Sequence, residues 1–96
     1  MPTRGVAASF WRDWEQLTDE QRELFLQMIP KFVDDLRSGS FRGGLRVKGL
    51  KGARGVFEVT WAPDGRATFA FGRERKAGEP HVIWRRVGTH DVLRNP

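Results

Sequence analysis

Two groups of residues in this chain carry side chains suited to chemistry on a phosphodiester. The first is the closing stretch VGTHDVLRNP, where His90 follows a predicted strand end and stands beside Asp91. Histidine is the side chain best matched to proton transfer near neutral pH. The second is a strand carboxylate, Glu58, with an arginine, Arg66, at the base of the neighbouring strand. Strand alternation puts Glu58 and Arg66 on one face. Cleavage of RNA by its own 2′-hydroxyl needs a base, an acid for the leaving oxygen and a cation for the charge that develops on phosphorus, and these residue types supply all three without a metal. The plain structural reading of Glu58 and Arg66 is an exposed cross-strand ion pair, which contributes little to stability.

Phosphate binding is the theme of a third region, Phe41 to Gly55, which holds Arg42, Arg46, Lys48, Lys51 and Arg54 and no acidic residue. Leu45, Val47 and Leu50 are interleaved at strand-like spacing, which a solvated tail has no reason to carry. The expectation is a short anchored strand from which Arg46 and Lys48, two apart, face outward together. Other chemistries are excluded. The chain has no cysteine and two histidines, so thiolate and zinc-thiolate sites are absent and a transition-metal site is improbable. The glycines of 43–55 lead into no GK[ST] element, and Ser9, Ser38 and Ser40 lie far from either histidine, so neither a phosphate-binding loop nor a nucleophilic triad is present.

These groups must be positioned by a single domain, since 96 residues leave room for only one core. The net charge of +5 is unevenly spread: Met1–Asp35 holds four basic and seven acidic residues, and Leu36–Pro96 thirteen basic and five acidic. Such polarity points to a polyanionic partner on one side of the fold. Met1–Ala8 lacks the apolar run of a signal peptide, and no segment has the length of a membrane helix, so a cytoplasmic, soluble protein is expected.

In chain order, Thr3–Ala8 reads as an edge strand and Ser9 as the N-cap of a short helix with Phe10, Trp14 and Leu17 on one face. Thr18 and Gln21 form a capping box for a second helix, with apolar positions Leu24, Phe25, Met28, Phe32, Val33 and Leu36, ended by Gly39. Pro30 predicts a kink or a brief break there. Val56–Ala62 and Arg66–Phe71 alternate as strands about the Pro63-Asp64-Gly65 turn, and His81–Gly88 reads as a last strand after a polar loop. Two helices followed by a meander make an α+β fold, with a helical part at about 9–38, a sheet part at about 45–88 and a catalytic tail at 88–96.

The phrases GLRVKGLKG, GVFEV, DGRATFAF and VGTHDVL, in this order, resemble the RelE/ParE superfamily of bacterial toxins from toxin–antitoxin pairs, nearest to its YafQ-like and HigB-like branch. The resemblance runs from about Phe10 to the end of the chain. It implies two helices packed on a small twisted, mainly antiparallel sheet, and a metal-independent endoribonuclease acting on translated mRNA on the ribosome. It also implies a cognate antitoxin as partner, with no cofactor and no membrane association. Residue by residue, Arg46, Lys48 and Lys51, with Arg54 beside them, match the basic RNA-binding stretch. Arg66 matches the hairpin arginine that faces the scissile phosphate, His90 the terminal catalytic histidine, and Glu58 a recurrent strand acid. Thr60 stands where many members carry an arginine, and the aromatic residue that several relatives place after the terminal histidine is missing. ParE-type members with this fold poison DNA gyrase, so the alternative is a toxin that acts by binding, as a gyrase poison or as a non-cleaving RNA-binding repressor.

Overall fold

Backbone hydrogen bonding and helix caps account for the element boundaries in the computed structural model, which describes all of residues 1–96. The order is β1 (Thr3–Val6), α1 (Ala8–Gln16), α2 (Asp19–Ser38), β2 (Lys48–Leu50), β3 (Ala53–Thr60), β4 (Gly65–Gly72) and β5 (His81–Thr89), with 3-10 turns at Gly43–Leu45 and His90–Arg94. One five-stranded sheet has the order β1-β5-β4-β3-β2. Its pairs are antiparallel except β1 with β5, which run parallel from Thr3 beside His81 to Val6 beside Trp84.

Ser9 is not the N-cap of α1. Ala7 holds that position with no side-chain cap, and the Ser9 hydroxyl donates to the Arg85 carbonyl at 2.6 Å. The cause lies in the sheet. β1 stops at Val6 while β5 runs on to Thr89, so the edge of β5 beyond Trp84 has backbone groups with no strand beside them. One helical turn after Ser9, Asp13 accepts the Val87 N–H at 3.1 Å, so α1 completes the edge that β1 leaves open.

The capping box of α2 forms as expected: Gln21 N–H donates to Thr18 Oγ1 at 3.1 Å and Thr18 N–H to Gln21 Oε1 at 2.8 Å. Gly39, in the left-handed region at φ 82°, closes the helix by donating to the Asp35 and Leu36 carbonyls. Between these caps the helix is continuous for 20 residues with Pro30 inside it, so the expected break is absent. Interior proline costs about 3 kcal/mol, whereas each fully buried large apolar side chain gains about 1.5–3 kcal/mol. Phe25 and Met28 before Pro30 and Phe32 after it are all buried on one stripe, so packing on both sides outweighs the lost bond.

The basic stretch also departs from expectation. Leu45 does not begin a strand; it ends a 3-10 turn and is buried in the core, and Arg46 then adopts the left-handed conformation at φ 51°. Two tethers force this turn: Leu45 fills the core, and Asp35 accepts the Arg42 N–H at 2.9 Å, which draws the chain back against α2. β2 is left with three residues, and Arg46 and Lys48 do not share a strand face.

The β3–β4 hairpin turns at Pro63–Asp64 as expected, with Gly65 N–H bonded to the Ala62 carbonyl at 2.9 Å. Gly65 is obligatory, since a Cβ there would lie 2.6 Å from the Trp61 ring. The helices cover one sheet face through thirteen buried side chains centred on Phe32, whose ring lies 5.0 Å from both Phe69 and Trp84. Phe32→Ala is expected to lower unfolding free energy by about 3–5 kcal/mol, and Thr18→Ala, which removes only the cap, by about 1 kcal/mol. Urea denaturation of the two variants checks this ranking.

Candidate functional site

The sheet face turned away from the helices holds most of the residues singled out for chemistry. Val59 and Trp61 point into the core, so Glu58 and Thr60 lie on the opposite face. Strand register then aligns Lys48, Glu58, Thr68 and Arg86 in one row across four strands, and Thr60, Arg66 and Gly88 in the next. Glu58 and Arg66 therefore share a face. They form no ion pair. Glu58 is 5% exposed and takes part in no salt bridge, its direct neighbours being Lys48 and Thr68.

Arg66 folds back along the turn it follows: its Nη1 donates to the carbonyls of Ala62, Pro63 and Gly65 at 3.3, 3.2 and 3.0 Å. Its remaining N–H groups make no bond within the chain, which leaves part of the guanidinium fork available. Thr89 pairs with Gly65, so the turn that His90 opens starts at the same end of the sheet as Arg66. His90 itself is exposed. The segment after it is held down firmly. Val92 is buried against Gly88, where an added Cβ would lie 2.9 Å from its methyl group, and the Pro96 carbonyl accepts from Thr68 Oγ1 and Arg85 Nε at 3.3 and 3.0 Å. Arg86 Nη1 donates to the Asn95 carbonyl at 2.9 Å while the other edge of its guanidinium grips Asp13. That carboxylate raises the Arg86 pKa further above its usual value.

The other basic residues are spread along the sheet. Arg46 faces a cleft of about 510 Å³ between α2 and the β3–β4 turn, which Arg66 also lines. Lys48 ends the Glu58 row on the edge strand β2, whereas Lys51 occupies the β2–β3 turn and Arg54 the start of β3. At about 3.3 Å per residue, Arg54 stands roughly 20 Å from the hairpin end of β3. The cations thus form a track and not a cluster. Arg42 has a structural role: its guanidinium binds both Asp35 oxygens at 2.8 and 2.9 Å. Those bonds, with the Arg42 backbone N–H, hold the Asp35 carboxyl below the usual range.

Sequence reasoning missed Lys31, which lines the same cleft from α2. The signal was present, since Leu24, Met28 and Lys31 follow one another at helical spacing on the side facing the hairpin. His81 is buried and bonded to Thr3 Oγ1 at 2.7 Å, a β1–β5 tie. No three His, Asp or Glu side chains are grouped as metal ligands, and no helix is long and apolar enough to cross a membrane.

Two helices on this mixed sheet make a fold shared with solved structures of RelE-like toxins. In the complex of DinJ and YafQ, a toxin–antitoxin pair from E. coli, one chain superimposes with a TM-score of 0.70 over 96% of both chains at 12% identity. A metal-bound toxin from Helicobacter pylori gives 0.67 at 23% identity over 97% of this chain and 99% of that one. The RelB–RelE antitoxin–toxin complex from Methanococcus jannaschii gives 0.63 at 16% identity over 95% of each. No family model matches the sequence, and no curated protein matches it. The expected α+β architecture is thus observed, with one parallel pair in a mainly antiparallel sheet.

Because Asp35 has a depressed pKa when folded, the stability from its pair with Arg42 is complete above the ordinary aspartate value of about 3.9 and is lost as pH falls through the lower folded value. Urea midpoints are expected to fall on acidification below about pH 4, and to fall less in Asp35→Asn.

Proposed function

We propose that this chain is the toxin of a type II toxin–antitoxin pair, acting as a metal-independent endoribonuclease that cleaves translated mRNA and so stops translation. The observation that carries this reading is the placement of Arg66 and the His90 turn at one end of the sheet, in a chain with the RelE-like toxin fold. The basic track of Arg46, Lys48, Lys51 and Arg54 holds the RNA backbone. None of these four cations has a carboxylate partner to displace, since the four ion pairs of the chain involve Met1, Arg22, Arg42 and Arg86.

Attack of a ribose 2′-oxygen on the adjacent phosphorus forms the new P–O bond as the P–O5′ bond breaks. One proton leaves the 2′-hydroxyl and one is delivered to the departing 5′-oxygen, giving a 2′,3′-cyclic phosphate and a free 5′-hydroxyl. His90, exposed and on a turn fixed by Val92 and the Pro96 contacts, handles one of these protons. The free N–H groups of Arg66 stabilise the charge on the equatorial oxygens, where fixed donors act most strongly. Glu58, only 5% exposed between Lys48 and Thr68, is a carboxylate of the same sheet face. Thr60 adds no cation beside Arg66, and the closing turn presents Leu93 and Arg94 in place of an aromatic ring, so base stacking by that turn is not part of the mechanism.

An antitoxin is the second partner in this reading, as in the DinJ–YafQ and RelB–RelE complexes. A groove of about 380 Å³ between β1, α1 and α2, walled by Phe10, Trp11, Leu26 and Ile29, offers it an apolar seat at the β1 edge of the sheet.

His90→Ala and Arg66→Ala are each expected to lower cleavage by about 10²–10⁴-fold and to relieve growth arrest on induction. Primer extension on cellular mRNA checks the activity directly. Wild-type induction should give discrete new 5′ ends, cleavage in vitro should persist in a chelator, and variants that arrest growth as strongly as wild type would show the assignment to be wrong.

A further inference from the structure

At the hairpin end of the sheet, the cleft between α2 and the β3–β4 turn is built for an anion. Its charged lining is Lys31, Arg42, Arg46 and Arg66, and no carboxylate borders it. Arg42 is neutralised by Asp35, but Lys31, Arg46 and Arg66 have no ion-pair partner. Three uncompensated cations around one opening repel each other, and an anion between them relieves that repulsion. The β3 wall adds a second, independent observation. Trp61 is only 8% exposed, yet its Nε1–H has no acceptor, and the adjacent Thr60 Oγ1 is likewise buried without a partner. Buried polar groups are almost always satisfied, so the unpartnered Trp61 donor on the α2 side of the cleft marks a place where a ligand oxygen is missing, whereas Thr60 Oγ1 lies on the opposite face of β3. Arg46 is the third sign: it is the one residue other than glycine with positive φ, a conformation that turns it into the cleft wall.

We propose that this cleft is a nucleotide-binding subsite that takes a phosphate of the bound RNA next to the scissile bond, with Lys31, Arg46 and Trp61 Nε1 as its contacts. The inference rests on the nuclease reading above and extends it from the sheet to α2. Phosphate is favoured over a protein carboxylate by continuity. Arg66 lines the cleft and lies at the same end of the sheet as the His90 turn, so an RNA held at that end reaches into it. A volume of about 510 Å³ also suits a nucleotide better than a bare ion. Lys31 is exposed on α2, so its replacement leaves the core untouched.

The test is equilibrium binding of a short 2′-O-methyl oligoribonucleotide, which cannot be cleaved, to the full chain across a salt series. Loss of one phosphate contact lowers the log–log salt slope by about 0.7. Lys31→Ala and Arg46→Ala should therefore each shrink the affinity lost between about 50 and 200 mM salt by about 3-fold, and Lys31→Arg should restore the wild-type slope. A Lys31→Ala slope equal to wild type, alongside a lowered slope for Lys48→Ala, would overturn the subsite while leaving RNA binding intact. Absence of any salt-dependent binding by wild type would overturn the nuclease reading and the subsite with it. If Lys31→Ala weakens binding of poly-glutamate but not of the oligonucleotide, the cleft serves an acidic protein segment and the proposal is wrong.

Discussion

The Asp13 carboxylate is the interaction on which the arrangement of the sheet and its closing turn depends. One of its oxygens takes both the Val87 N–H and Arg86 Nε, and the other takes Arg86 Nη2. It thereby substitutes for the strand that β1 does not provide, fixes α1 against the edge of β5, and pairs a half-buried arginine that also holds Asn95. Both side chains of the pair are largely shielded, at 18% and 26% exposure. Removing one partner of such a pair leaves the other desolvated and uncompensated, which is far costlier than losing an exposed ion pair. The position of His90 is thus linked to a helix more than seventy residues earlier through a single carboxylate.

Charge in this chain divides into two kinds according to geometry. Arg42 and Arg86 are spent on Asp35 and Asp13, where bidentate bonds hold the loop after α2 and the closing turn. Lys31, Arg46, Lys48, Lys51, Arg54 and Arg66 have no such partner and line one end and one face of the sheet. The first kind lowers the energy of the fold, and the second leaves a positive field that only an external polyanion neutralises. Composition counts both kinds alike.

The hairpin at the centre of the site is kept rigid by packing more than by its turn sequence. Trp61 lies against the position of Gly65 so closely that no side chain fits there, and the Arg66 guanidinium clasps three carbonyls of the same turn. These contacts preorganise the cation that the proposed chemistry requires, so little ordering remains when RNA arrives.

Local signals made much of the fold legible. The period of Phe25, Met28 and Phe32, the Thr18–Gln21 box, the left-handed Gly39 and the Pro63-Asp64-Gly65 turn each depend on neighbours within a few residues, so the sequence by itself determined both helices and the central hairpin. Alternation likewise set Glu58 and Arg66 on one face, away from the core. What only the tertiary structure decided involves partners far apart in the chain. Ser9 left its expected cap for a carbonyl of β5, and α2 ran through Pro30 because the sheet holds both its halves. Arg46 was turned out of a strand by the burial of Leu45 and the bond between Asp35 and Arg42, and Lys31 came to the cleft because α2 lies across the hairpin. Such contacts are fixed by which long-range burial and hydrogen bonding win, and no window of neighbouring residues contains that competition.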